Sequence, residues 1–136
     1  MRSLGKQVSI VNDDPVPREY AFLPDVGRII RFSEFKKGGN FDCLLLVDCS
    51  DISRCGKVQS LRQSCHSVIN IDHHISNTLF GEVNWVGVSF SSASEMVYRL
   101  CRQLDYPLTS KDALLLYVGI MTDTGSFRYS NTTADT

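Results

Sequence analysis

Two apolar runs, each closed by an aspartate, organise this chain. Cys43-Leu44-Leu45-Leu46-Val47 leads into Asp48, and Val68-Ile69-Asn70-Ile71 leads into Asp72. Continuous rather than alternating hydrophobicity predicts strands buried on both faces, as in a parallel sheet. The stretch between them, Ile52 to Ser67, is long enough for a crossover helix with Val58 and Leu61 facing inward. Shorter β-rich runs at Val8-Ser9-Ile10-Val11 and Arg28 to Phe32 predict two further strands. Residues 13 to 28 carry all but one of the prolines and predict a loop with a helical turn. Glu82-Val83-Asn84-Trp85-Val86 predicts an edge strand.

Beyond residue 91 the period changes. Ser92 and Glu95 have capping-box spacing, and Ala93, Met96, Val97, Leu100, Cys101 and Leu104 then fall on one face at helical spacing. Pro107 ends that helix. Thr109 with Asp112 opens another, carrying Ala113, Leu114, Leu116, Tyr117 and Ile120 and finishing near Met121. Phe127 to Ser130 reads as extended, and residues 131–136 are polar. Alternating strands and helices predict an α/β fold, with a mostly parallel sheet flanked by helices. Ligands in such folds collect beyond the carboxyl ends of the strands, where Asp48 and Asp72 should both sit.

Composition narrows the partners. With 136 residues, 43% of them hydrophobic, the chain can build one compact domain. A net charge of −1 offers no basic surface for duplex DNA, but leaves room for mononucleotides or short oligonucleotides. The five cysteines include no CxxC pair, so reduced thiols are expected rather than a disulfide framework or zinc ribbon. No apolar stretch approaches the ~20 residues of a membrane span, and the first residues contain no signal core. A cytoplasmic protein without membrane contact is the expectation.

Asp72-His73-His74 is the main candidate for chemistry. A carboxylate and two imidazoles at the tip of a buried strand are costly unless they bind something. Imidazole and carboxylate together suit a divalent first-row metal. Such a metal would in turn suit a phosphate ester, whose charge it offsets. Taken singly, the other candidates have ordinary readings. Asp48 reads as a helix cap, Asp123 as an Asx turn before Gly125, and Arg54 as an exposed arginine at a helix start.

In combination these segments resemble the DHH phosphoesterase family. Residues 41 to 51, Phe-Asp-Cys-Leu-Leu-Leu-Val-Asp-Cys-Ser-Asp, resemble its second motif. Asn70-Ile71-Asp72-His73-His74-Ile75-Ser76-Asn77 is similar to the third, which names the family, and Gly119 to Phe127 to the fourth. Phe80 to Trp85 and Ser94 to Tyr98 resemble the nanoRNase/pAp phosphatase branch.

The resemblance implies a Rossmann-like N-terminal DHH domain and hydrolysis of phosphate esters with two metal ions, usually Mn2+, with Mg2+ as an alternative. It implies metal ligation by Asp48, His73 and Asp123. It gives catalytic roles to His74, next to the transferring phosphoryl group, and to Asp72, which would orient the histidines. Arg54 and Asn77 would contact substrate phosphate. The substrates implied are short oligoribonucleotides or 3′-phosphoadenosine 5′-phosphate, with cyclic dinucleotides or single-stranded DNA as alternatives.

The family's opening His-x-x-Pro-Asp-x-Asp motif and its glycine-rich C-terminal domain have no counterpart in residues 1–136. A partial catalytic domain lacking its first strand-helix unit is therefore expected, with at most one partial metal site. The competing expectation is an inactive nucleotide-binding or interaction remnant. A sheet surface left uncovered would also suit a homodimer.

Overall fold

The computed structural model describes residue 1, residues 4–36 and residues 38–136. Among these described residues, five strands occur in chain order: β1 (Ile10–Asn12), β2 (Ile29–Arg31), β3 (Phe41–Val47), β4 (Cys65–Asp72) and β5 (Val83–Val86). They form two parallel sheets rather than one. β1 pairs with β2, while β3, β4 and β5 form a sheet in that order. Two helices follow, α1 (Ala93–Gln103) and α2 (Ser110–Asp123). The fold is thus α/β with mostly parallel sheets flanked by helices, as the patterning predicts.

The registers Val47↔Ile71 and Asp72↔Val86 bring the carboxyl ends of β3, β4 and β5 to one edge. The ladder continues past β3, since Asp48 N–H donates to Ile71 C=O at 2.9 Å, and past β4, since Gly87 N–H donates to Asp72 C=O at 2.9 Å. Asp48 and His73 therefore leave the sheet side by side.

The core lies against one face of β3 and β4. Leu46, Cys49 and Val68 form its centre, with Leu44, Ile52, Cys55 and Phe80 around it. On β4, Val68, Asn70, Ile71 and Asp72 are all buried, so that strand is covered on both sides. β3 departs from expectation. Leu46 points inward, but Leu45 and Val47 are 38% and 44% exposed. β3 is also the last strand of its sheet, so its outer edge has no partner among the described residues.

The segment predicted as a crossover α-helix is a 3-10 helix, Ile52–Ser64. Val58 and Leu61 do face inward. Gly56 breaks the segment with φ 56° and ψ −133°. A side chain there would meet Asp13, whose carboxylate accepts from Lys57 N–H at 3.0 Å. Gln59 and Ser60 also donate to nearby backbone carbonyls, a local competition that disfavours a regular α-helix.

Helix α1 starts as predicted at Ser92, whose Oγ accepts from Glu95 N–H at 3.0 Å. The reciprocal arm lands one residue early, because the Glu95 carboxylate takes the N–H and hydroxyl of Ser91. Ala93 and Met96 are buried, whereas Leu104 is exposed. Helix α2 has a full capping box between Thr109 and Asp112. Val118 is its buried residue, whereas Leu114 and Tyr117 are exposed. Residues 127–130 form turns rather than the predicted extended segment, with Ser126 and Phe127 at φ 60° and 63°. Among the described residues, no helix is long and apolar enough to cross a membrane. Among the described residues, no cysteine forms a disulfide.

Candidate metal centre

Asp48 is the first residue past β3, and its backbone is left-handed at φ 61°. Asp tolerates that region better than most residues, and such geometry is enriched at functional sites. The capping expected of Asp48 falls instead to Asp51, which accepts from Ser53 N–H at 2.9 Å and Ser53 Oγ at 2.6 Å. Those bonds hold the Asp51 carboxyl below its usual pKa. The Asp48 carboxylate is left to the sheet edge.

Asp72 is fully buried at the end of β4. It accepts from His74 Nδ1 at 2.7 Å and from Asn77 Nδ2 at 2.6 Å. Burial alone would raise its pKa, but the bonds from His74 and Asn77 outweigh it and hold the carboxyl below the usual range. An ionised Asp72 can only accept, so His74 carries its hydrogen on Nδ1 and presents a lone pair at Nε2. Asn77 is engaged internally as well. Its Nδ2 also lies 2.8 Å from Asn70 Oδ1, and its Oδ1 accepts from Leu79 N–H at 2.8 Å.

His73 has the same tautomer for a different reason. Its Nδ1 lies 3.3 Å from Phe90 C=O, which can only accept. In the neutral ring Nε2 then bears a lone pair. That atom is 3.0 Å from Asp123 Oδ2 and 3.4 Å from Asp48 Oδ1. His74 Nδ1 lies 3.8 Å from the same Asp48 oxygen, and the two imidazole centroids are 4.6 Å apart. Asp123 arrives from another direction, as the last residue of α2. Burial raises its pKa above the usual carboxylate value, and the nearby Asp48 charge pushes the same way.

Whether this cluster fits a metal ion is decided by its unpartnered atoms. His73 Nε2 and Asp123 Oδ2 are both buried without a hydrogen-bond partner, although only 3.0 Å apart. With the ring neutral these are two acceptors, which repel unless a cation lies between them. Metal–donor bonds of about 2.0–2.2 Å put two ligands roughly 3 Å apart when they meet at a right angle. Asp48, His73 and His74 also offer ligand atoms within 4.8 Å of one another. The residues present fit a divalent cation.

Asp48, Asp72, His73, His74, Asn77 and Asp123 are thus brought together from β3, β4 and α2. Arg54 is exposed in the 3-10 segment, and no hydrogen bond or ion pair among the described residues joins its side chain to this cluster. Two contributors escaped the sequence reading. Asn70, fully buried, donates to Cys49 C=O at 3.1 Å and so ties the turn after β3 to β4. The interruption of an apolar run by one amide was the available signal. The Phe90 carbonyl that orients His73 left no trace in the sequence.

The fold and the site define a DHH-family domain. Residues 3–120 match the DHH family, N-terminal domain, and the chain belongs to that family. It is 43% identical over 135 residues to the bifunctional oligoribonuclease and PAP phosphatase NrnA of Thermus thermophilus, covering 99% of this chain and 39% of that protein. It is 42% identical over 72 residues to the Bacillus subtilis protein of the same name, covering 51% of this chain and 23% of the relative. The chain therefore spans well under half the length of these relatives. A crystal structure of an exopolyphosphatase-related protein from Bacteroides fragilis superposes with a TM-score of 0.88 at 23% identity, over 98% of this chain and 42% of that one. At that identity the likeness speaks for the fold.

Proposed function

We propose that this chain carries part of the catalytic centre of a metal-dependent phosphoesterase. Its substrates would be short oligoribonucleotides or 3′-phosphoadenosine 5′-phosphate. The observation that carries the reading is the pair of buried acceptors, His73 Nε2 and Asp123 Oδ2, facing each other beside Asp48 Oδ1. The names of the relatives support the substrate class.

Asp48, His73 and Asp123 would hold the ion, with His74 beside it. A divalent ion in such a site lowers the pKa of water and offsets charge on a transferring phosphoryl group. An imidazole among carboxylates favours Mn2+ over Mg2+, which prefers all-oxygen ligands. The protein's own contribution is orientation. Asp72 fixes the His74 tautomer through Nδ1, and Phe90 C=O does the same for His73. We assign Asn77 to the support of Asp72, because its amide is already engaged there. A phosphate contact by Arg54 rests on the family resemblance.

We also read the chain as a partial domain. The unpaired edge of β3, and a cavity of about 370 Å3 lined by Tyr20, Leu23, Val47, Asp48, Leu115 and Asp123, support a further strand-helix unit packing there in a longer protein. Calorimetry with Mn2+ and hydrolysis assays on both substrates test these readings. We expect Mn2+ uptake that disappears in Asp48→Ala and His73→Ala. Turnover should appear or rise when an N-terminal segment from a relative is supplied. Absence of Mn2+ uptake by the unsubstituted chain would refute the metal-centre reading.

A further inference from the structure

We infer that Asn131 is a positioning residue, which sets the separation of His73 and Asp123 from outside the cluster. The proposal rests on the metal-centre reading for its consequence, but not for its geometry.

His73 and Asp123 come from different elements, so something must fix their spacing. The Asn131 Nδ2 amide group donates to Ser91 C=O at 2.7 Å and to Asp123 C=O at 3.2 Å. Ser91 is itself immobilised. It is fully buried, and its N–H and hydroxyl both donate to Glu95 Oε2, at 2.9 and 2.7 Å. Its chain neighbour Phe90 supplies the carbonyl that faces His73 Nδ1. The contacts close a ring: from the Asp123 carboxylate to the His73 ring, to Phe90 and Ser91, through Asn131, and back to the Asp123 backbone. The turn that delivers Asn131 is equally constrained. Thr124 C=O accepts from Arg128 and Tyr129 N–H at 2.9 and 3.0 Å, and Gly125 has φ 56° with the Tyr129 ring packed against it.

The other end of the side chain separates a positioning role from packing. Asn131 Oδ1 is buried without a hydrogen-bond partner. A buried acceptor left unpaired is costly, and an apolar side chain of similar volume would avoid that cost. What the asparagine offers in return is the two bonds from Nδ2, and both end on segments that place site residues.

Asn131→Leu and Asn131→Asp in the 136-residue chain provide the test. Both nearly preserve volume and remove the two donated bonds; the aspartate also sets a charge against two carbonyl oxygens. Three quantities are read: thermal unfolding, the imidazole signals of His73 in long-range 1H–15N spectra without metal, and Mn2+ affinity by calorimetry. We expect His73 to lose its single Nδ1–H tautomer in both variants and Mn2+ affinity to fall about tenfold or more, the range for residues that orient ligands. The leucine variant should melt within a few degrees of the parent. Unchanged His73 signals and unchanged affinity, whatever the melting temperature does, would overturn the proposal. Should the aspartate variant fail to fold, the leucine variant carries the test. Should the parent chain take up no Mn2+, the functional reading falls, while the metal-free spectra still decide the role of Asn131.

Discussion

Replacing Asp72 with asparagine changes one oxygen to an NH2 group and tests how the site is held. The native carboxylate accepts two short bonds, from His74 Nδ1 and Asn77 Nδ2, in a fully buried position. Bonds to a charged acceptor contribute about 1.5–3 kcal/mol each, and a buried donor left unpaired costs about 1–3 kcal/mol. Asparagine can keep one acceptor, so one charged bond is lost and donor faces donor. The expected destabilisation is about 3–4 kcal/mol, roughly 10–15 °C in melting temperature for a chain of this size. The escape open to the variant moves the His74 hydrogen from Nδ1 to Nε2, so the tautomer and ring orientation that Asp72 selects beside the site are lost. Mn2+ affinity should then fall about 10–100-fold.

Urea unfolding at several pH values supplies a second check on Asp72→Asn. The folded-state pKa of Asp72 is depressed below the usual 3.8, so its stabilisation is complete above that value and is lost as pH falls through the lower folded value. The variant should lack this component of the acid limb. A loss under about 1 kcal/mol, with an acid limb identical to the parent's, would refute the reasoning.

Other positions give independent checks. A methyl group at Gly119 of α2 would collide with the Ser94 side chain on α1, so Gly119→Ala should destabilise by about 1–3 kcal/mol despite its better helix propensity; a stabilised variant in chemical denaturation would contradict this packing. Asp112→Ala removes the α2 capping box and should cost about 1 kcal/mol. The side-chain and backbone bonds of Thr109 hold the Asp112 pKa below 3.8, so the difference between parent and variant should persist at neutral pH and shrink as pH falls below that value. Burial, followed by the contact with Cys49, pushes the Cys55 thiol up to about 12, so iodoacetamide at pH 8 should modify exposed Cys43 well before Cys55; equal labelling by mass spectrometry would count against that environment.

The sequence made the β4 tip and its ligands legible because burial and charge met there within a few residues. Asp72, His73 and His74 follow an apolar run directly, and the sheet register carries Asp48 to the same edge. Asp123 was legible only through its motif, since its approach depends on how α2 packs against α1. The parts that misled share a cause. Leu45 and Val47 look like core residues, but burial of both faces of β3 needs a neighbour that hydrophobicity alone does not supply. Gly56 at positive φ turned an apparent helix into a kinked 3-10 segment. Phe90 acts through its backbone carbonyl, which its side-chain identity does not report. Asn131 acts across a sequence separation of 40 residues, and no local pattern marks it.

The bare margin of β3 has a consequence for handling the protein. In the 136-residue chain, the β3 donors and acceptors that find no strand beside them among the described residues remain a template for any extended peptide, including another copy of the same chain. With Leu45 and Val47 on the adjoining surface, concentrated solutions should thicken into reversible clusters well before other segments unfold. Such clustering would be relieved by a short β-forming peptide that occupies the margin, and salt would do little to disperse it.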